Sequence, residues 1–269
     1  MYKHFSKQKL ISVFIVLTIL ILAACSTVPL TGRRQLSLIP SSQMLSMSFQ
    51  QYDQVKEESK VVTNTEQAAM IQRVGAKISK ATEQFLKQKG IQETFEWEFI
   101  LIEDDQTVNA WCMPGGKVAF YTGILPYTKT EAGAAVVMGH EIAHAVANHG
   151  NERMSQSLVV EMGGLTLAKA LEQKPEGTQN LWMSAFGLGT QLGVMLPFSR
   201  KHEYEADRIG LSLMAMAGYN PQEAVDFWSR MAESGGAKSP EFMSTHPSDE
   251  NRIAQLKNLL PEANQYYKK

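Results

Sequence analysis

The sequence predicts an α+β fold that is mainly helical, with a small sheet packed beside one central helix. Three observations predict it. Residues 136–149 are mostly apolar, rich in Ala and free of Pro, as an interior helix requires. Residues 95–122 form short alternating or continuous apolar segments around Pro114, Gly115 and Gly116, a pattern of strands joined by a hairpin-like turn. Residues about 44–60 and 65–89 repeat apolar positions at three- and four-residue steps, as Ala68, Ile71, Val74, Ile78 and Phe85 show, and read as scaffold helices that bury one face.

The central helix carries the chemistry. His140 and His144 are four residues apart, so a helix sets them one turn apart on one face. Glu141 stands beside them, completing the H-E-x-x-H pattern of zinc proteases, in which the Glu is the general base. A His-Glu-His cluster left unpaired in an apolar helix is costly to bury, and a metal removes that cost. Catalytic zinc usually takes three protein ligands. His149, five residues after His144, points to a different face and is a poor third ligand. Glu203 is the better candidate. Asp207, four residues on, can accept the free N–H of a zinc-bound imidazole and hold its tautomer. Glu205 is a weaker alternative ligand, and residues 200–210 also read as a charged, solvent-facing helix.

H-E-x-x-H at 140–144, followed by E-x-x-A-D at 203–207, resembles the metallopeptidase family of HtpX, the CAAX prenyl protease, BepA and LoiP. Asn109, Ala110, Pro114, Gly115 and Gly116 resemble the family's N-A-x-x-x-P-G-G strand pair. Thr245, His246, Pro247 and Arg252 resemble its T-H-P-x-x-x-x-R element. The likeness covers roughly residues 65–260 and is nearest to LoiP/BepA-like periplasmic lipoproteins without a repeat domain. It implies a zincin-type (gluzincin) domain in which His140, His144 and Glu203 bind a single zinc ion and Glu141 is the catalytic base. His246 sits in a Pro-flanked loop that can fold over the zinc. Two roles follow for it, a transition-state donor or a removable fourth ligand, beside the plainer one of anchoring its loop. Arg252 pins either that loop or the Asp207 region.

Taken in order, residues 1–24 read as a lipoprotein signal peptide: Lys3, Lys7 and Lys9, then an apolar run from Leu10 to Leu22, then small residues before Cys25. The run is short for a membrane span, and Cys25 in that setting resembles a bacterial lipidation site. With Ser26 after it, the resemblance places the protein in the periplasm, anchored to the inner leaflet of the outer membrane. Residues 25–43, with Pro, Gly, Ser and Thr, read as a tether. Residues 44–260 form the peptidase domain, and 261–269 a frayed tail. With Cys25 lipidated, Cys112 is the only thiol left, which excludes an internal disulfide. Cys112 reads as a small buried strand residue rather than a nucleophile, because water on zinc already supplies one.

Residues 157–171 and 177–199 are apolar, and the second has no charged residue, yet its Gln, Asn and Gly residues argue against a membrane span. They read as a helical hairpin that covers the active site and touches lipid, or as a buried pair of core helices. At 269 residues, 44% of them hydrophobic, with a net charge of −1, nothing suggests a nucleic-acid partner. The functional expectation is a zinc endopeptidase of the bacterial envelope that degrades unfolded or misassembled envelope proteins. The alternative is a latent or non-proteolytic lipoprotein that works with the outer-membrane assembly machinery.

Overall fold

The computed structural model describes residues 25–28, 31–191, 195–233, 242, 246 and 251–268. The expected signal peptide, the loop at 234–240, and Thr245, Pro247 and Ser248 lie outside them. A two-stranded hairpin, β1 (Cys25–Thr27) and β2 (Arg34–Leu36), opens the fold. Helix α1 (Ser41–Glu58), strand β3 (Val61–Val62) and helix α2 (Glu66–Gln88) follow. Then come β4 (Glu98–Ile102), β5 (Ala110–Met113) and β6 (Lys117–Tyr121), which with β3 make a four-stranded sheet in the order β3-β4-β6-β5. Strand β6 lies parallel to β4 and antiparallel to β5, so β5 is an edge.

The continuous apolar run of β4 has a direct cause. Phe99 and Leu101 enter the main core against α2, while Ile100 and Ile102 pack with Tyr52 of α1 on the other face. A strand covered on both faces does not alternate. The expected strand at 95–102 starts only at Glu98; Glu96 and Glu98 donate backbone N–H bonds to the carbonyls of Gly115 and Gly116 in the β5–β6 turn. Both glycines sit at positive φ, 87° and 92°, which only glycine adopts freely.

After a short helix α3 (Leu125–Thr128), the chain enters α4 (Glu131–Val146), the helix of the H-E-x-x-H motif. The Thr130 hydroxyl caps it by accepting the Gly133 N–H at 3.0 Å. From Gly133 to Val146 every residue is buried. The helix expected to run through His149 ends earlier: Asn148 takes a left-handed conformation, φ 55°, and turns the chain into α5 (His149–Leu171). Helix α6 (Glu176–Thr190) folds back on α5, then α7 (Leu196–Met216), α8 (Gln222–Glu233) and α9 (Arg252–Ala263) complete the core.

Three expectations need correcting. Residues 31–43 do not run free as a tether: Val28, Gln35 and Ile39 are buried, and the Asn151 amide and Ser155 hydroxyl of α5 bond the backbone at Ile39 and Leu38. The helical hairpin exists, but it is no buried core pair. Past Gln156 it leaves the core, α6 has no buried residue, and Met162, Leu165, Leu181 and Trp182 are exposed. Nor does it cover the zinc motif, since only the first turns of α5 approach His144. Among the described residues no helix is long and apolar enough to cross a membrane.

Helices α4 and α7 cross with their backbones touching. A Cβ added to Gly139 would lie 2.9 Å from the carbonyl oxygen of Gly210, and one added to Gly210 would lie 2.9 Å from the backbone nitrogen of His140. Both obstructions are backbone and cannot swing aside. We therefore expect Gly139→Ala to cost about 1–3 kcal/mol by overpacking and to weaken metal binding, read as a lower melting temperature and a lower zinc affinity. An unchanged melting temperature would contradict the crossing.

Candidate metal centre

The crossing brings the motif residues of α4 against those of α7. His140, His144, Glu203 and His246 are buried and each offers a ligand atom within 4.8 Å of the others. The Nε2 atoms of His140 and His144 are 3.1 Å apart, and the Glu203 carboxylate oxygens lie 3.3 Å and 3.4 Å from them. Segment 200–210 is thus no solvent-facing helix: Arg200 and Lys201 are exposed, but His202, Glu203, Glu205 and Asp207 are all buried.

The tautomers follow from the outer partners. His140 Nδ1 is 3.0 Å from Asp207 Oδ1. A carboxylate only accepts, so Nδ1 carries the proton and the Nε2 lone pair faces the cluster. His144 Nδ1 is 2.9 Å from His149 Nδ1, and His149 Nε2 is 3.0 Å from Glu205 Oε2. His149 must donate to Glu205, so its Nδ1 accepts the proton of His144, and the His144 Nε2 lone pair also faces the cluster. Two lone pairs at 3.1 Å repel unless a cation lies between them. Ligand nitrogens on a tetrahedral zinc at roughly 2.0–2.1 Å are about 3.3 Å apart, so this donor set fits zinc. Glu141 fits the same reading: its Oε1 is buried without a hydrogen-bond partner, and His246 Nε2 stands 3.3 Å away.

Arg252 is buried and contacts both Asp207 and the backbone at His246. Its Nε and Nη2 donate to the two oxygens of Asp207 at 2.8 Å and 2.7 Å, and its Nη1 donates to the His246 carbonyl at 3.3 Å. Its guanidinium lies 3.4 Å over the Trp228 ring. His246 Nδ1 is 3.1 Å from both His140 Nε2 and Glu203 Oε2, which makes it a fourth member of the donor cluster.

The electrostatics follow from burial and pairing. Burial works against the ionised form of Glu203, yet His144, His140 and His246 hold its carboxyl far below the ordinary range. Burial lowers His144 well below its ordinary value. Burial also opposes protonation of His140, but its bonds to Asp207 and Glu203 prevail and raise it to about 9. Burial pushes the Glu141 carboxyl up, as suits a proton acceptor.

Several participants escape a motif search. His149, a poor ligand candidate by spacing, supports His144 instead. Glu205 is no ligand; it faces His149 and Arg33. Arg33 donates to Glu152 at 2.8 Å and 2.7 Å and to Glu205 at 2.8 Å, and Thr31 also bonds Glu205. Glu152 in turn accepts from His202 at 2.9 Å, and the His202 ring stacks on His149. Cys112 is half-buried on edge strand β5. It lines a cleft of about 330 Å³ with His144, Met44, Met47, Met113 and Met154, and its thiol is pushed well up by burial and by Glu141. Cys25 enters the fold through the backbone pairing of β1 with Leu36.

The model of Peptidase family M48 matches residues 68–260. The chain belongs to Peptidase family M48. It is 39% identical over 188 residues to the mitochondrial metalloendopeptidase OMA1 of Schizosaccharomyces pombe, covering 69% of this chain and 53% of that protein. It is 31% identical over 245 residues to human mitochondrial metalloendopeptidase OMA1, covering 87% and 46%. It is 28% identical over 184 residues to the beta-barrel assembly-enhancing protease of Escherichia coli, covering 60% and 34%. The chain thus spans about half the length of the OMA1 relatives it matches. M48 enzymes are zinc metallopeptidases, in keeping with the donor set. The expected periplasmic, outer-membrane location is overturned: the relatives matched at 29–39% identity, from yeasts, a plant and vertebrates, are mitochondrial by name.

Acid should loosen the network behind the ligands. Burial lowers His149 from 6.5 to about 4, so the folded state resists its protonation and stability falls as pH drops from about 6.5 to 4. Glu152 and Glu205 hold values of about 2 against an ordinary 4.5: burial opposes their charge, but His202, His149 and Arg33 outweigh it. Their contribution is complete above pH 4.5 and is lost toward pH 2. The melting temperature of zinc-free protein should therefore fall in both intervals. A flat profile from pH 6.5 to 2 would contradict the pairing.

Proposed function

We propose that this chain is a zinc-dependent endopeptidase that cleaves unfolded or misassembled proteins. The convergence of His140 Nε2, His144 Nε2 and a Glu203 carboxylate oxygen, with the Glu141 carboxylate beside them, carries the reading. Zinc, held by His140, His144 and Glu203, supplies Lewis acidity and brings the pKa of a water to about 7. Glu141 is the group placed to take that water's proton and return it to the leaving amine. Asp207 with Arg252, and Glu205 with His149, engage the outer Nδ1 atoms and leave Nε2 of both imidazoles turned inward. Among the described residues no strand pairs with the outer edge of β5, which offers backbone N–H and C=O groups to an extended peptide. Beside it, the cleft carries Met44, Met47, Met113 and Met154. Methionine is soft and adapts to many apolar side chains, which suits clients recognised by exposed apolar segments rather than by one sequence. The apolar run at 10–22 followed by Cys25 supports attachment to a membrane through lipid on Cys25; intact mass of the chain and of Cys25→Ala tests that attachment.

The position of His246 favours a latent form of the same enzyme. Its Nδ1 stands with the ligand atoms, and the Phe242 N–H donates to the Val108 carbonyl just ahead of edge strand β5. His246 as a fourth donor has to leave before a substrate carbonyl can approach.

Casein cleavage and zinc content of the unsubstituted chain, Glu141→Gln and His246→Ala test both readings. Glu141→Gln should keep zinc and lose about 10²–10⁴-fold in turnover, the usual contribution of a positioned acid–base group. Cleavage at the original rate would end its assignment as the base. His246→Ala should raise basal cleavage. A fall of about 10²–10³-fold would instead make His246 an oxyanion donor.

A further inference from the structure

The two zinc-ligand histidines are oriented by different means. The support of His140 is short: Asp207, held in a two-point grip by Arg252. The support of His144 is longer and reaches beyond α4 and α7. It runs from His144 Nδ1 to His149 Nδ1, from His149 Nε2 to Glu205, and from Glu205 to Arg33 in the N-terminal segment. Arg33 lies ahead of the region matched by the family, 68–260.

We propose that Arg33 is a positioning residue for the zinc site, through which the N-terminal segment 31–39 fixes the orientation and tautomer of His144. This rests on the zinc ligation proposed above. Arg33 binds Glu205 through Nε and Glu152 through both terminal nitrogens, so its planar fork holds the two carboxylates in one geometry. Its side chain is 15% exposed, and Glu152 and Glu205 are 2% and 5% exposed. Carboxylates this dry need a fixed cation. With Glu205 held as an anion, His149 must present Nε2–H to it and its bare Nδ1 to His144. His144 then has one way to satisfy Nδ1–H, with Nε2 turned to the metal. Without Arg33 the pair Glu152 and Glu205 loses its counter-charge, and the alternative His149 tautomer, with Nδ1–H facing His144, becomes accessible. That tautomer opposes the ligating form of His144. The segment is held in place independently of Arg33 by the Asn151 and Ser155 bonds to its backbone, so removing the charge need not release it.

The test uses the full chain and Arg33→Gln, Arg33→Lys and Glu205→Gln. Zinc affinity is read by competition with a chromophoric chelator, and ligand geometry by the visible spectrum of the cobalt-substituted protein. Arg33→Gln and Glu205→Gln should each weaken zinc binding by about 10–100-fold, as loss of an outer partner of a ligand histidine does. The double variant should be little weaker than either single one, because both break one chain of contacts. Arg33→Lys should recover only part of the affinity, since an ammonium cannot grip both carboxylates as a fork. Glu205→Gln keeps the shape of the site and carries the test if Arg33→Gln fails to fold. Native zinc affinity and an unaltered cobalt spectrum in a folded Arg33→Gln or Glu205→Gln, even with a lower melting temperature, would overturn the proposal. Zinc binding absent from the unsubstituted chain would overturn the proposed function itself and this inference with it.

Discussion

The backbone contact between Gly139 and Gly210 is what the rest of the structure depends on. It lets two buried helices cross at the distance of their main chains, so residues one position along α4 and a turn or two back along α7 meet face to face. His140 and His144 come from one helix, Glu203 and Asp207 from the other. Each pair is four residues apart, so each helix delivers both groups on one face. Rigid elements make a more exact donor set than loops do.

Such a crossing places charge in a dry interior, and the fold answers with arginines. Arg252 arrives from the C-terminal helix and neutralises Asp207 while capping the His246 carbonyl. Arg33 arrives from the N-terminal segment and neutralises Glu152 and Glu205. Segments from near both ends of the described chain therefore support the same pair of imidazoles. Neither arginine touches the open side, where edge strand β5, the methionine-lined cleft and Glu141 meet. The cleft beside the site is mixed: Met44, Met47, Met113 and Met154 line it together with Gln51, Asn148 and Arg153.

Much of this was legible in the sequence because it repeats with a helical period. The spacing of His140, Glu141 and His144 marks one half of the cluster, and the resemblance of E-x-x-A-D at 203–207 supplies the other. The sheet and its Gly115–Gly116 turn, and the two scaffold helices, follow from periodicity in the same way. What was not legible depends on breaks in that period. His149 is set aside only if the helix continues, and Asn148 turns it back onto His144. Arg33 sits among Pro, Gly and Thr residues whose composition suggests a tether, and only long-range pairing with α5 and α7 reveals it as buried. The hairpin of α5 and α6 misleads by composition too: the uncharged run 177–199 suggests a cover for the site or a buried pair, yet Leu181, Trp182 and Leu188 are exposed. The compartment was read from the leader and a likeness to lipoproteins, and the mitochondrial names of the OMA1 relatives correct it.

The most direct test of the account is a crystal of the zinc-loaded full chain, measured at the zinc absorption edge. The account predicts a single strong anomalous peak roughly 2.0–2.2 Å from His140 Nε2, His144 Nε2 and a Glu203 carboxylate oxygen, with Asp207 and His149 on the outer nitrogens of the two rings. A peak elsewhere, or none in protein shown to contain zinc in solution, would contradict it.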